Sequence, residues 1–355
     1  MAVDKIKNLT EFDNHHEVLT FNDGDLHAFV AIHSKCDNQP SFGATRFWHY
    51  DSPEEALQEA LRLSRTMSFK CSMADLPYGG AKAVIMSNGV DTPEKRKDVF
   101  KKYAKKIDEL GGIFVTGSDV GVNKDDLNIM CSTSQYIIGG EVPAGYFTAL
   151  GVFYAIEVVL EEIFGTHNFS DKSFAIQGLG KTGLELLKLL YERGAKIYVS
   201  DINSTLVDKT KNKYPNIIVE DSENIHKLDV DIFCPCALSH AINNISINEI
   251  NCRGVAGAAN SQLQNDSIGL ELHRKGIIYA PDYISNSGGF ISVVDEYQYG
   301  VHSTDRIINK LSNIKKNLKN IFLQSKQEDL PVSQLANQKA TEKLCKIKVP
   351  ENVYC

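Results

Sequence analysis

The stretch Ser173–Asp201, "SFAIQGLGKTGLELLKLLYERGAKIYVSD", decides the fold. Phe174-Ala175-Ile176 reads as a strand, Leu184 to Leu190 as a helix, and the segment ending "YVSD" as a second strand. Between the first strand and the helix lies the turn Gly178-Leu179-Gly180-Lys181-Thr182-Gly183. A glycine triplet alone is weak evidence. Here it follows a strand, opens a helix, and is followed by Asp201, 23 positions after Gly178 (201 − 178). That is the fingerprint of a dinucleotide-binding βαβ unit, in which a pyrophosphate rests on N–H groups at the helix N-terminus. The competing reading is a glycine turn packed on a helix with no ligand. Asp201 can accept hydrogen bonds from ribose hydroxyls and would repel a 2′-phosphate. No arginine follows in "DINSTLVDKTK", so NAD is expected rather than NADP.

At 355 residues the chain is long for one core, and two domains are expected. The expected boundaries are 1–145 plus 327–355 for a substrate-binding, catalytic and oligomerisation domain, and 146–326 for the nucleotide domain. The formal net charge of −7 argues against a nucleic-acid partner, since no basic excess is available to neutralise phosphates. The N-terminal "MAVDKIKNLTEFDN" has no apolar targeting core, and no apolar run reaches spanning length, so a cytoplasmic protein without a membrane partner is expected. The eight cysteines are scattered and Cys234-Pro235-Cys236 is their only close pair. With no second pair or histidines at ligand spacing, these read as core cysteines in a reducing compartment, and no metal site is expected.

Outward from the nucleotide unit, strands and helices alternate, which argues for an α/β layer architecture: two domains separated by a cleft, the second a Rossmann-type doubly wound parallel sheet. "LHAFVAIHS" reads as a strand. "SPEEALQEALRLSRTMSF" reads as a helix with a capping box of Ser52 and Glu55 and Pro53 in its first turn. Thr92-Pro93 starts another helix, "FTALGVFYAIEVVLEEIF" is a mostly buried one, and a long polar helix covers about Thr304 to Lys326. The closing helices are expected to pack on the first domain.

In "MADLPYGGAKAVIMSN", Met73–Asn88, Lys82 stands behind two glycines and in front of the strand-like run Ala83–Met86. Glycines allow a close backbone approach or a positive φ. Lys82 is either a solvated loop lysine or one held in a cleft with its pKa drawn down for acid–base work. Lys70 ends the strong helix 12 positions earlier, and Asp119 leaves a strand end in "VTGSDVG". Two ammonium groups and a carboxylate on one wall would suit an amino-acid substrate.

The chain resembles the glutamate/leucine/phenylalanine/valine dehydrogenase superfamily, and within it the leucine and phenylalanine dehydrogenase branch. The likeness rests on "FGATR", "RLSRTMSFK", "LPYGGAKAVI", "TGSDVG", "FTALGV", "GLGKTG", "PCAL", "GAANSQL" and "YAPDYISNSGGFISV", which run through nearly the whole length. It implies reversible oxidative deamination: an L-amino acid goes to its 2-oxo acid and ammonia, within a cleft whose closure excludes surplus water. It implies that Lys70 holds the substrate α-carboxylate, that Lys82 is the base activating water, and that Asp119 handles protons on the substrate nitrogen and carbinolamine. It further implies that Thr148 meets the nicotinamide amide, that Cys236, Ala237 and Leu238 line the cofactor, and that Asn260 lies where cofactor and substrate meet. A homo-oligomer, dimer or octamer, is implied too. The chain departs from the family pattern at Ser118, at Gly43-Ala44, at Asn260-Ser261 and at Asn286-Ser287-Gly288-Gly289; none of these removes a group that performs chemistry, but all lie near the implied substrate.

The side-chain pocket is expected to include Phe42, Gly43, Phe290 and Val293. Phe42 and Val293 stand where the glutamate-specific branch has a lysine and a serine, and burying a carboxylate unpaired against them would cost several kcal/mol, roughly. Phe42 and Phe290 either shrink the pocket toward a valine- or leucine-type substrate, stack on an aromatic one, or simply pack in the core. An aliphatic substrate is the main expectation and phenylalanine or tryptophan the alternative. A non-catalytic NAD-binding regulatory protein would be expected to lose Lys70, Lys82 or Asp119. A 2-hydroxy-acid dehydrogenase would want a histidine base with a carboxylate partner; the ten histidines include no obvious candidate, although His240 after "PCALS" can be tested.

Overall fold

The computed structural model describes residues 6–139, 142–237, 239–344 and 346. The chain divides into two compact units, 1–142 with 340–355, and 143–339.

The first unit carries β1 (Glu17–Asp23), β2 (Leu26–Ile32), β3 (Ser41–Phe42), β4 (Thr45–Trp48), α1 (Pro53–Met73), β5 (Gly79–Met86), α2 (Pro93–Glu109), β6 (Phe114–Val115) and α3 (Lys124–Cys131). Its sheet runs β1-β2-β5-β3-β6, with β4 also on β5. β2 pairs antiparallel with β1 and β5, whereas β3 and β4 lie parallel to β5. Ser41 opposes Gly79 and Thr45 opposes Ala83, so β3 and β4 keep one register and act as a single strand through Gly43-Ala44.

All eight residues of β5 are buried, because both of its faces are covered. Ala81, Ala83 and Ile85 pack with Val99, Phe100 and Tyr103 of α2. Val84 and Met86, on the opposite face, pack with Leu57, Ala60 and Leu61 of α1. Lys82 shares the parity of Val84 and so belongs to the α1 face. The strand starts at Gly79, four residues before the apolar run that marked it in the sequence. α1 begins as expected, with Ser52 accepting from Glu55 N–H (3.2 Å). The Glu55 carboxylate reaches Asp51 N–H (2.9 Å), so the expected box is closed one residue upstream of the cap.

Two buried histidines brace α1 from beneath. His15 Nε2 lies 3.0 Å from both Leu61 O and Ser64 Oγ, and His33 Nδ1 lies 2.8 Å from Ser68 Oγ. Burial, with His15 edge-on at 4.9 Å, pushes the His33 pKa down to about 4 against the pull of Asp13. An unfolded histidine takes up its proton near pH 6.5, roughly, so between that value and about 4 the unfolded state binds the extra proton. His33 therefore contributes stability that is fully present above pH 6.5 and is lost as pH falls through its folded value. The slope of unfolding free energy between pH 6.5 and 4.5 is expected to flatten by about one proton in His33→Gln, measured by urea titration at each pH. An unchanged slope would remove His33 as its source.

The second unit carries α4 (Ala144–Phe164), β7 (Ser173–Gln177), α5 (Lys181–Tyr191), β8 (Lys196–Ser200), α6 (Ser204–Lys213), β9 (Ile218–Val219), β10 (Val230–Pro235), α7 (Ser246–Glu249), β11 (Cys252–Val255), α8 (Asp266–Arg274), β12 (Ile278–Tyr279), α9 (Asp282–Ser285), α10 (Gly288–Tyr299) and α11 (Thr304–Glu328), with α12 (Val332–Lys343) leading out of it. Its six strands are parallel, in the order β12-β11-β10-β7-β8-β9. Counted from β7 this is 3-2-1-4-5-6 read from the β9 edge, the doubly wound order whose reversal between β7 and β10 opens a crevice at the strand C-termini.

Near the C-terminus the unit boundary falls at Ala340 rather than at 327. α11 and most of α12 belong to the second unit, and only residues from Ala340 onward join the first. α11 lies along α4, whose Glu157, Glu161 and Glu162 pair with its Lys315, Lys319 and Lys326 at 2.6 Å each. Within the first unit, Ser72 Oγ donates to Ala340 O (2.6 Å) and Lys343 pairs with Asp75 (3.1 Å). Among the described residues no helix is long and apolar enough to cross a membrane, and no group of three or more His, Cys, Asp or Glu could hold a metal ion.

Candidate active site

The two glycines before Lys82 serve close approach, with neither at positive φ. A Cβ on Gly79 would lie 2.0 Å from Ser34 O, and one on Gly80 would lie 2.0 Å from Ser68 N. The missing Cβ at Gly80 lets α1 settle onto β5, and the one at Gly79 lets the segment after β2 pass close. Cys71 Sγ then donates to Gly79 O (3.3 Å). Lys70 and Lys82, each two residues beyond the Ser68–Gly80 contact, are carried into the same layer, and both are buried (7% and 6% exposed).

Asp119 is aimed from the other side. Thr45 N–H donates to Gly117 O (2.8 Å) and Asp119 N–H to Thr45 O (3.0 Å), so the loop after β6 is zipped onto β4. Asp119 Oδ2 accepts from Lys82 Nζ at 2.5 Å and from Arg46 Nε at 3.1 Å. Arg46 also pairs through Nη1 with Glu59 Oε1 of α1. Tyr50 Oη donates to Glu59 Oε2 at 2.5 Å, and Arg62 Nη2 reaches Glu59 Oε1 at 3.3 Å.

Burial draws the Lys82 pKa below the ordinary lysine value, more than Asp119 raises it, and the Arg46 charge adds to the lowering. Burial pushes the Asp119 carboxyl up, but Lys82 and Arg46 outweigh it and hold the group below the usual carboxylate range. Arg46 stays charged: Asp119 and Glu59 outweigh the effect of burial. Tyr50 stays a neutral donor, its pKa driven up by burial and by Glu59. The site thus pairs a carboxylate fixed in its ionised form with an amine eased toward its neutral form.

Arg46 was missed in the sequence. "FGATR" contains it, but its partners Asp119 and Glu59 lie 73 and 13 positions away, and no local pattern links them. In the same stretch a Cβ on Gly43 would fall 1.9 Å from Ala81 O, so the backbone there passes with no room for a side chain. Phe42 is 1% exposed with its ring 4.6 Å from that of Tyr78. Phe290 and Val293 belong to the second unit, one turn apart on α10, and both are half-buried.

In the second unit the glycines divide their work. Gly178, at φ +101°, turns the chain out of β7, and a Cβ on it would meet Ala237 at 2.8 Å. A Cβ on Gly183 would fall 2.0 Å from Gly178 O, which fixes α5 against the turn. Gly180 caps α5 and has nothing within 4 Å of a Cβ position, leaving open space where a phosphate would approach the helix N-terminus. Lys181 and Thr182 form its first turn. Cys236 N–H donates to Gln177 O (2.8 Å), bringing Cys236 and Ala237 beside Gly178 at the strand-order reversal. Leu238 lies outside the described residues.

Asp201 follows β8 and accepts from Leu179 N–H (Oδ2, 2.7 Å) and Asn203 N–H (Oδ1, 2.8 Å). It therefore braces the glycine turn. Thr148 Oγ1 donates to Ala144 O (2.8 Å) and accepts from Gly289 N–H (3.1 Å). Asn260 Oδ1 accepts from Asn286 Nδ2 (3.0 Å). The half-buried His240 takes a positive φ (60°), and its N–H donates to Ser261 O (2.8 Å).

Residues 15–136 match the profile of the Glu/Leu/Phe/Val dehydrogenase dimerisation domain. Residues 139–219 and 205–349 match that of Glutamate/Leucine/Phenylalanine/Valine dehydrogenase. The chain is 36% identical to a phenylalanine dehydrogenase of Bacillus thermotolerans, covering 94% of this chain and 89% of the relative. It is 34% identical to a leucine dehydrogenase of Bacillus cereus (93% and 90% covered). The crystal structure of L-tryptophan dehydrogenase from Nostoc punctiforme superposes with a TM-score of 0.80 at 32% identity, covering 97% of this chain and 98% of that one. Both halves of the chain and its doubly wound sheet thus lead to one conclusion: the chain belongs to the Glu/Leu/Phe/Val dehydrogenase family, whose members are nicotinamide-dependent amino acid dehydrogenases.

Proposed function

We propose that the protein catalyses the NAD-dependent, reversible oxidative deamination of an apolar L-amino acid to its 2-oxo acid and ammonia. The observation that carries the reading is the buried Lys82–Asp119 pair, 2.5 Å apart, with Lys82 on the strand that also faces Lys70's helix. Lys70 is assigned the substrate α-carboxylate. A bound nicotinamide supplies the acceptor for the hydride that leaves Cα. Neutral Lys82 takes a proton from water as the water oxygen bonds to the imine carbon. Asp119 then relays the proton that moves from the carbinolamine oxygen to its nitrogen, so that the C–N bond breaks and ammonia leaves.

The dinucleotide is assigned to Gly178, Gly180, Lys181, Thr182, Gly183 and Asp201, with Thr148, Cys236, Ala237 and Asn260 toward its nicotinamide end. The open space over Gly180 supports a phosphate there. The Asp201 carboxylate supports NAD over NADP, and kcat/KM for NAD is expected to exceed that for NADP by about tenfold or more. Equal values would mean that the carboxylate serves only the backbone it already holds.

The main substrate reading is aliphatic, leucine or valine. The half-buried pair Phe290 and Val293 on α10 also suits an aromatic side chain, as acted on by the phenylalanine and L-tryptophan dehydrogenases among the relatives. Phe290→Ala separates the two. If the ring limits volume, the truncation shifts preference toward larger side chains, by about 1–3 kcal/mol per methylene accommodated. If it stacks on substrate, activity on phenylalanine or tryptophan falls and that on valine holds. Phe42, packed on Tyr78, is expected to change substrate ratios less. A panel of L-amino acids with NAD, followed by NADH absorbance, tests the whole reading; no turnover on any apolar amino acid would end it. The description of residues 15–136 as a dimerisation domain supports a homo-oligomer, dimer or octamer.

A further inference from the structure

A buried ion pair resists losing its proton, because neutralising the ammonium leaves the carboxylate unpaired in a medium where that is costly. A lysine base beside an aspartate meets this difficulty at every turnover. Here the same oxygen, Asp119 Oδ2, that accepts from Lys82 also accepts from Arg46 Nε at 3.1 Å. We propose that Arg46 is a standing counter-ion for Asp119, which frees Lys82 to give up and regain its proton, and that Glu59 and Tyr50 are positioning residues that hold Arg46 in that place. The proposal rests on Lys82 being the base, as argued above.

A guanidinium does not deprotonate at any working pH, so of the two cations on Asp119 only Lys82 can cycle. When Lys82 is neutral, Asp119 still has an ionic partner. When Lys82 is charged, Arg46 opposes it across one shared oxygen. Glu59 holds the far side of the guanidinium and is itself satisfied by Tyr50 Oη (2.5 Å) and Arg62 (3.3 Å). The four charged side chains Lys82, Asp119, Arg46 and Glu59 are each less than one-fifth exposed, so solvent screens their mutual effects little. The groups facing Lys82 are thus Asp119 from the loop after β6, Arg46 from β4 and Glu59 from α1, with Tyr50 and Arg62 behind Glu59 and Lys70 further along α1. This arrangement asks more of the site than an isolated lysine–aspartate pair would.

The test is the pH profile of kcat with a saturating apolar L-amino acid and NAD, in wild type, Arg46→Met and Arg46→Lys. Loss of the charge is expected to move the acid limb up by about one pH unit or more, with most of the wild-type rate recovered at high pH. Arg46→Lys, which restores a cation, is expected to return the limb toward its wild-type position. Because Arg46→Met takes one partner from Glu59, the double variant Arg46→Met/Glu59→Gln removes both charges. It should also shift the limb upward, by less, since the Glu59 carboxylate itself favours the charged form of Lys82. A limb that stays in place while kcat falls equally at all pH values, in either Met variant, overturns the proposal, as does a shift that Arg46→Lys fails to reverse. Lys82→Ala separates this from failure of the underlying reading: retained turnover there defeats the assignment of Lys82, whereas lost turnover with an unmoved limb in the Arg46 variants defeats only the role given to Arg46.

Discussion

Lys82→Ala is expected to lower kcat about 10²–10⁴-fold, the usual worth of a positioned general base. Two features of the site isolate that loss from trivial causes. Arg46 remains on Asp119, so removing the ammonium leaves no unpaired buried carboxylate and the variant is expected to fold cooperatively. The glycine turn and Asp201 belong to the other unit, so the affinity for NAD, read by fluorescence titration, is expected to be unchanged. A variant that binds NAD normally and turns over at near the parental rate would falsify the assignment. The base is also expected to give the pH profile of kcat an acid limb below the range of an ordinary lysine, since burial and Arg46 both act in that direction.

The second large effect is expected from Gly80→Ala, a single methyl group. Its carbon would stand 2.0 Å from Ser68 N and 2.4 Å from Ser68 Cα, both backbone atoms that no rotamer change can move aside. α1 must lift from β5, at a cost of about 1–3 kcal/mol or more for a packed interface. Urea unfolding is the direct measure, with a lowered midpoint at unchanged slope. Kinetics supply a second, because Lys70 lies two residues beyond Ser68 and moves with the helix. The amino-acid KM is expected to rise while NAD affinity holds. Stability and KM both at parental values would mean that the helix seats on β5 by other contacts.

The nucleotide unit was legible because its determinants are local. Strand, glycine turn, helix and acidic strand end fall within 29 residues, and the observed elements Ser173–Gln177, Lys181–Tyr191 and Lys196–Ser200 sit where the spacing put them. The place of Lys82 was harder. Two glycines and a lysine look like a loop, and only the cover supplied by α1 and α2 shows why they begin a strand instead. Residues 327–339 were placed in the other unit because amphipathicity marks a face for burial without naming its partner. Arg46 escaped for the same reason, its significance residing in contacts with Asp119 and Glu59 that the sequence does not bring together.

The strand that carries Lys82 is hydrogen-bonded along both edges, to β2 on one side and to β3 and β4 on the other, with a helix on each face. Amides in such a position exchange with deuterated solvent only when the whole unit opens. The Lys82 amide is thus expected among the slowest to exchange, far behind those of the β1 edge. Heating would spare the base until the fold itself gives way, so inactivation and global melting of this unit should coincide rather than the site failing first.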